Sequence, residues 1–350
     1  MSDLLSDLQS LINDDLSSLN EKDIIQRLNN MVLAAEMTTS SKSKDSKSIT
    51  SLFAEHLLGL QNNPDANHLI KSGFNNLDAL IGGFLPGEFI VLGGRPAMGK
   101  TQFCVNLCLN ISKEHPVLYF TFDLSEYLLG SRFISALTGI ETKRILQNQL
   151  TSEEKTDIAA LEKEFQNYRI NINDSCNSSV TAFKAQCLKQ IYENGVQLIL
   201  VDYLQMMSTS RYRNSRELEI SYISRELKSL AHDHNVCVIA TSQLSRSPEK
   251  RSAAAKPILS DLRESGAIEQ DADKVIFLYR PEYYAIDVDE EGNSVAGLME
   301  LIVAKNRNGG LGSARLKRNA VFSSFDDFLE YSNEFSFSPG RLDELKDKPF

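Results

Sequence analysis

FIVLGGRPAMGKT, residues 89–101, is a hydrophobic run that ends in glycines and passes directly into a helix-forming segment. Gly94, Arg95, Pro96, Ala97, Met98, Gly99, Lys100 and Thr101 satisfy G-x-x-x-x-G-K-[ST] at every position. Glycines at both ends let the chain turn so that successive backbone N–H groups point at one anion. The helix that follows adds the positive end of its dipole. The stretch therefore predicts a strand, a phosphate loop and a helix, and with them an ATP or GTP site. Lys100 is placed to neutralise β- and γ-phosphate charge, the Thr101 hydroxyl to hold one position around Mg²⁺, and Gln102 to line the same site.

Working outward, 350 residues, 42% of them hydrophobic and 24% charged, leave room for one large α/β domain and a smaller attachment. The net charge of −10 gives the whole chain no attraction for nucleic acid, so any such contact falls to local basic loops. Cys104, Cys108, Cys176, Cys187 and Cys237 are odd in number and contain no C-x-x-C pair. That is the pattern of buried thiols in a reducing compartment rather than of disulfides or zinc. No apolar run reaches membrane-spanning length, and the start MSDLLSDLQ is acidic where a secretion signal is basic. The expected address is the cytoplasm, with no membrane partner.

Residues 1–36 carry Leu4, Leu8, Leu11, Leu16, Leu19, Ile24, Leu28 and Val32 at roughly helical spacing. They predict a short amphipathic helical segment that packs either on its own domain or on a protein partner. Residues 37–50 contain the apolar-free TTSSKSKDSKS and read as a flexible linker; residues 51–66 open with SLFAEHLLGL, a linker helix with Phe53 and Leu57 on one face. Residues 67–335 form the main domain and 336–350 a tail. Within the main domain, strand-like runs at 89–92, 117–122, 169–172, 198–201, 236–240, 275–278 and 298–304 alternate with helical segments. This is the pattern of a mainly parallel sheet with helices on both faces, where ligands gather at the carboxyl ends of strands.

Those strand ends carry chemistry. The run LILVD ends at Asp202, the Walker B arrangement in which a carboxylate orients Mg²⁺. The second strand ends at Asp123, either a general base that positions the attacking water or a cap for the next helix. After 236–240 the chain reads Thr241-Ser242-Gln243; the Gln243 amide is either a γ-phosphate sensor or a buried amide bonded to backbone. Lys305 and Arg307 flank one residue before a glycine turn, so Arg307 is either an arginine finger for a neighbouring subunit or part of a solvated turn. Two loops are locally basic, one with Arg211, Arg213 and Arg216, the other with Arg246, Lys250, Arg251 and Lys256. Each is a candidate DNA-facing loop with a solvated surface loop as its alternative.

GGRPAMGKT, VDYLQMM, ELEISYISRELKSLAHDHNVCVIATSQLSR, LSDLRESGAIEQDADKVIFLYRPEYY and IVAKNRNG occur here in one order. Together they resemble the carboxyl-terminal ATPase domain of the DnaB family of replicative DNA helicases, over about residues 70–320. The resemblance implies a RecA-like P-loop NTPase core and a homohexameric ring. It also implies Mg-ATP between subunits, single-stranded DNA in a central channel and 5′ to 3′ movement. By the same resemblance Lys100 and Thr101 match the phosphate-loop pair, Asp202 the Walker B acid and Gln243 the sensor. Lys305 and Arg307 match the pair that reaches the neighbour's γ-phosphate. Arg263, Glu264 and Gly266 match the loop that follows the DNA backbone, and the helix near Phe53 matches the one that packs on an adjacent subunit.

Two departures stand out. The family's catalytic base is a Glu at the end of the second strand, and here it is Asp123, one methylene and about 1.5 Å shorter. A displacement of that size in a water-activating group costs on the order of a hundredfold in rate. Glu126, three residues later, is a candidate substitute. The family also carries an amino-terminal helical domain of roughly a hundred residues or more, where this chain has the 1–36 segment and a linker. The leading expectation is an ATP-dependent, ring-forming DNA helicase or translocase. The alternatives are an ATP-switched loading or assembly factor with weak hydrolysis and a recombinase-like filament ATPase.

Overall fold

The computed structural model describes residues 69–174, 178–212, 215–244, 256–262, 266–289, 291–319, 321 and 323–328. The chain divides into two units, Met1–Asn67 and His68–Phe350. The segments 1–36, 37–50 and 51–66, the tail 336–350, Cys176 and the candidate DNA-contact residues Arg251, Arg263 and Glu264 lie outside the described residues.

In chain order the elements are α1 (Asn75–Ile81), β1 (Phe89–Gly94), α2 (Lys100–Ser112), β2 (Val117–Thr121), α3 (Glu126–Thr138), α4 (Thr142–Leu146) and α5 (Ser152–Phe165). There follow β3 (Ile170–Asn173), α6 (Val180–Asn194), β4 (Leu198–Asp202), α7 (Arg216–His234), β5 (Cys237–Gln243), α8 (Gly266–Asp271) and β6 (Lys274–Tyr279). The described part closes with β7 (Leu298–Asn306), β8 (Gly312–Arg318) and β9 (Phe325–Asp327). One nine-stranded sheet runs β3-β2-β4-β5-β1-β6-β7-β8-β9. The first six in that order are parallel and β7, β8 and β9 are antiparallel.

Each of the seven runs read as strands is a strand, and the mainly parallel α/β fold is the expected one. The central strands are buried at every position but Gln243, and their middle residues are apolar, because both faces are covered. In β1, Phe89 and Val91 enter one core with α6 and α7, while Ile90 and Leu92 enter the other with α1, α2 and α3. Burial of each such side chain stabilises the sheet by roughly 1.5–3 kcal/mol. β8 and β9 are additional to the expected strands. β8 reads GSARLKR, and only Ala314 and Leu316 point into the core. A strand with two buried side chains between cations has too weak an alternation to be separated from a loop.

Helix ends follow the local chemistry. Ser125 caps α3, accepting the Leu128 N–H, and Gly139 ends it in the left-handed region at φ 72°. Thr151 and Glu154 form a capping box on α5. Asn235 closes α7 at φ 52°.

The antiparallel course of β7 decides where its end lies. Asn306 stands opposite Lys274, at the start of β6, and Ile90 at the start of β1 also pairs with Lys274. The Lys305–Arg307 end is therefore at the opposite edge of the sheet from Gly94, four residues from Ile90 along β1, or roughly 13 Å at strand rise.

Candidate nucleotide site

The turn between β1 and α2 is set by backbone demands. Gly99 sits at φ 94° and Ala97 at φ 60°, both in the left-handed region. Below the turn, a Cβ on Gly93 would come within 2.6 Å of the Phe277 ring, so glycine is required there by packing. The Lys100 ammonium reaches back over the loop and donates to the carbonyls of Gly94 at 2.8 Å and Arg95 at 3.1 Å. Burial lowers it from its ordinary 10.5 to about 8, and the charge of Asp202 opposes that shift. Such a cation is held in place and undercompensated, which favours a polyanion.

Asp202, 4% exposed, ends β4 beneath the loop. One carboxylate oxygen accepts the Thr101 hydroxyl at 2.7 Å and the Tyr119 hydroxyl at 3.3 Å, and the other accepts the Thr241 hydroxyl at 2.7 Å. Because Thr101 donates its proton to Asp202, its oxygen lone pairs are left for a cation. A hard divalent ion suits that oxygen beside a carboxylate, so the donor set fits Mg²⁺ bound with a nucleotide.

A cavity of about 340 Å³ opens above these groups, lined by Pro96, Ala97, Gly99, Lys100, Thr101, Gln102, Asp123, Arg132, Asp202, Tyr203 and Gln243. The strand ends thus bring together Lys100, Thr101, Asp123, Asp202 and Gln243. Asp123 is not the helix cap, since Ser125 holds that position. Glu126 begins α3 and lines a different hollow from the one that holds Asp123. Gln243 is exposed rather than a buried amide. Gln102 lines the cavity, yet its amide donates to the Ser323 carbonyl at 2.5 Å. Gly94, Arg95 and Met98 do not line it. The Arg95 guanidinium donates instead to the Leu244 carbonyl at 3.2 Å, and the Met98 side chain is buried. Sequence reasoning misses Arg132, which reaches the cavity by tertiary placement, and Tyr203, whose only signal is that it directly follows Asp202.

Lys305 and Arg307 are not at this cavity. Lys305 donates to the carbonyls of Glu269 at 2.5 Å and Gln270 at 3.2 Å. Arg307 donates to the Gln270 carbonyl at 2.5 Å and lies 3.5 Å from Asp273, with its side chain half exposed. Both cations thus rest on the carboxyl end of α8, whose first residue is Gly266 of the candidate DNA loop. Of the basic loops, Arg216 is committed to Glu219 and to the carbonyls of Gln205 and Met207. Lys256 is paired with Glu300 at 2.7 Å. In the fold these two cations thus have protein partners, while Arg211, stacked on Tyr222 with 5.3 Å to the ring centroid, stays on the loop surface.

A second hollow, about 850 Å³, lies between α3 and α5 against β3, lined by Tyr127, Phe133, Ile134, Leu137, Leu161 and Phe165 among others. It is apolar and brings together no catalytic set.

A profile of the family described as DnaB-like helicase C-terminal domain matches residues 70–327. A probable replicative DNA helicase of Trieres chinensis is 39% identical over 299 residues, covering 84% of this chain and 65% of that protein. The replicative DNA helicase DnaB of Haemophilus influenzae is 39% identical over 266 residues, covering 75% of this chain and 56% of that protein. A solved DnaB-like replicative helicase, described with its interactions with primase, superposes with a TM-score of 0.77 at 28% identity, over 94% of this chain and 76% of that one. The chain thus spans under two thirds of the length of the Trieres and Haemophilus helicases.

Proposed function

The chain belongs to the DnaB-like helicase C-terminal domain family, and we propose that it is an ATP-dependent DNA helicase that moves 5′ to 3′ on single-stranded DNA during replication. We further propose that it works in the cytoplasm as a homo-oligomeric ring, a hexamer by family resemblance. One observation carries the reading. Lys100, Thr101, Asp123, Asp202 and Gln243 converge on one 340 Å³ cavity, while Lys305 and Arg307 sit at the far edge of the sheet. A complete site then needs two copies of the chain.

Mg-ATP, when bound, supplies the transferable γ-phosphoryl group. The loop backbone and Lys100 would hold the phosphates, and Thr101 and Asp202 would hold and orient the metal. Asp123 takes a proton from the attacking water, and Gln243 contacts that water or the γ-phosphate. Arg307 of a neighbouring copy stabilises charge on the transferred group, with Lys305 beside it. The candidate DNA loop, with Arg251, Arg263, Glu264 and Gly266, tracks the strand. By the same family resemblance, residues 51–66 would meet an adjacent copy and residues 1–36 a protein partner. No helix among the described residues is long and apolar enough to cross a membrane.

ATP hydrolysis with and without single-stranded DNA tests the reading, with Lys100→Ala alongside. DNA-stimulated turnover that disappears in Lys100→Ala is expected. Equal rates in both proteins would refute it. The short Asp123 favours one second reading, an ATP switch that binds DNA and hydrolyses little. Nucleotide-dependent DNA binding without turnover would single it out.

A further inference from the structure

β4 and β5 pair only as far as Val201 and Ala240, yet β5 continues to Gln243. Beyond Asp202 the chain turns away through the 3-10 segment Leu204–Met206. The last peptide groups of β5 therefore have no strand beside them on that side. The side chain of Gln205 fills the place. Its Oε1 accepts the Gln243 N–H at 3.2 Å, and its Nε2 donates to the Gln243 carbonyl at 3.3 Å and the Ser242 hydroxyl at 2.9 Å. Only one of the two orientations of that amide serves both the N–H and the carbonyl.

The backbone of Gln205 is held from the other direction. Its carbonyl accepts the Arg216 guanidinium, and Arg216 also donates to the Met207 carbonyl at 3.4 Å and pairs with Glu219. The other oxygen of Glu219 accepts the Thr209 N–H at 2.9 Å. Gln205 thus touches the tip of β5 directly and is linked, through Arg216 and Glu219, to Thr209, two residues before Arg211.

We propose that Gln205 is a positioning residue for hydrolysis. It substitutes for the missing strand, keeps Gln243 directed into the phosphate cavity, and ties that placement to the arginine-bearing loop. The inference rests on the reading of Gln243 as the group that senses the γ-phosphate. Without the clamp the exposed end of β5 frays, and a displacement near 1 Å in such a group costs on the order of a hundredfold in rate.

Gln205→Leu removes all three bonds, whereas Gln205→Glu keeps the acceptor for the Gln243 N–H and loses both donors. The expected result in Gln205→Leu is a kcat lowered about tenfold or more, with nucleotide Kd within about twofold of wild type and DNA stimulation lost. Gln205→Glu falls between. Hydrogen exchange at the Gln243 amide is read in parallel and is expected to quicken about tenfold in Gln205→Leu and less in Gln205→Glu. Unchanged kcat and stimulation overturn the proposal, as does a Kd that weakens in step with kcat. If the wild type matches Lys100→Ala in turnover, the helicase reading has failed, and the exchange arm alone decides. Unaltered Gln243 exchange in Gln205→Leu then overturns the clamp, and quickened exchange sustains it.

Discussion

If Lys100 is the phosphate-binding cation, its buried position makes nucleotide affinity depend on alkaline pH in a range where most lysine sites are flat. Its free-state value is about 8 rather than 10.5, with burial as the main cause. Phosphate contact favours the charged form, so the bound state restores the proton. Affinity is then full below pH 8 and weakens about tenfold, or about 1.4 kcal/mol, for each pH unit above it. At pH 9 the apparent Kd is about tenfold its value at pH 7. The nucleotide adds no competing slope there, because phosphate second ionisations lie near pH 6.

The stability of the nucleotide-free protein moves the opposite way. The unfolded chain holds the Lys100 proton up to about 10.5 and the folded one only to about 8. The burial penalty is therefore fully present below pH 8 and is relieved between 8 and 10.5, with a ceiling of about 3 kcal/mol. Titration of a fluorescent ATP analogue at fixed Mg²⁺, from pH 7 to 9.5, reads the first effect. Calorimetry at pH 8 in buffers of different ionisation enthalpy reads about half a proton taken up per nucleotide. Lys100→Met is expected to bind weakly at every pH with no slope. A flat affinity in the wild type, or the same slope in Lys100→Met, would refute the argument.

Asp123→Glu restores the longer reach and is expected to raise kcat about tenfold to a hundredfold in a steady-state ATPase assay; a lower rate would show that the cavity is shaped around the shorter acid. Lys274 is 1% exposed and is paired with Glu88, whose other partners include the Asn308 amide at 2.8 Å. Lys274→Met leaves that carboxylate buried and without its cation, and a loss of about 3–5 kcal/mol is expected from urea unfolding. Gly93→Ala pushes a methyl group against Phe277 and is expected to cost about 1–3 kcal/mol, read as a lower Tm. Thr241→Val removes one of the three hydroxyls on Asp202, with an expected cost of about 1–3 kcal/mol and weaker Mg²⁺ dependence of nucleotide binding.

The phosphate loop is legible in the sequence because its geometry depends on the backbone: the left-handed Gly99 and the crowded Gly93 leave a signature. Asp202 is legible for a related reason, since an all-apolar strand that ends in a carboxylate is conspicuous. Arg132 is not, because it reaches the cavity from α3, whose orientation is fixed only by packing, and the bonds of Gln205 to the end of β5 are equally invisible in the sequence. The basic loops illustrate the converse. Arg216 and Lys256 look like free cations in the sequence, and each is neutralised in the fold by a carboxylate, Glu219 three residues away and Glu300 on a distant strand. Charge in a sequence is visible, whereas its partner often is not. β8 and β9 escape notice because an edge hairpin with little buried surface carries little hydrophobic period.

The direction of β7 has the largest consequence. Had this strand run parallel to β6, Lys305 and Arg307 would leave the sheet beside the chain's own phosphate loop. Because it runs antiparallel, with Lys305 opposite Val275, the two cations emerge at the other edge, resting on the α8 carbonyls. Each copy then carries a receiving cavity at one edge and a cation pair at the other. Contacts between unlike surfaces are heterologous, so they propagate from copy to copy until the rotation between neighbours closes a ring or continues as a filament. If the proposed pairing of Arg307 with a neighbour's cavity holds, the two halves of the site would require assembly before any particular oligomer is specified, and the same α8 that holds the cations begins at the candidate DNA loop. On this arrangement a shift of α8 on DNA would move the group that completes the next copy's site. Hydrolysis and DNA grip would then be coupled between neighbouring copies as well as within one.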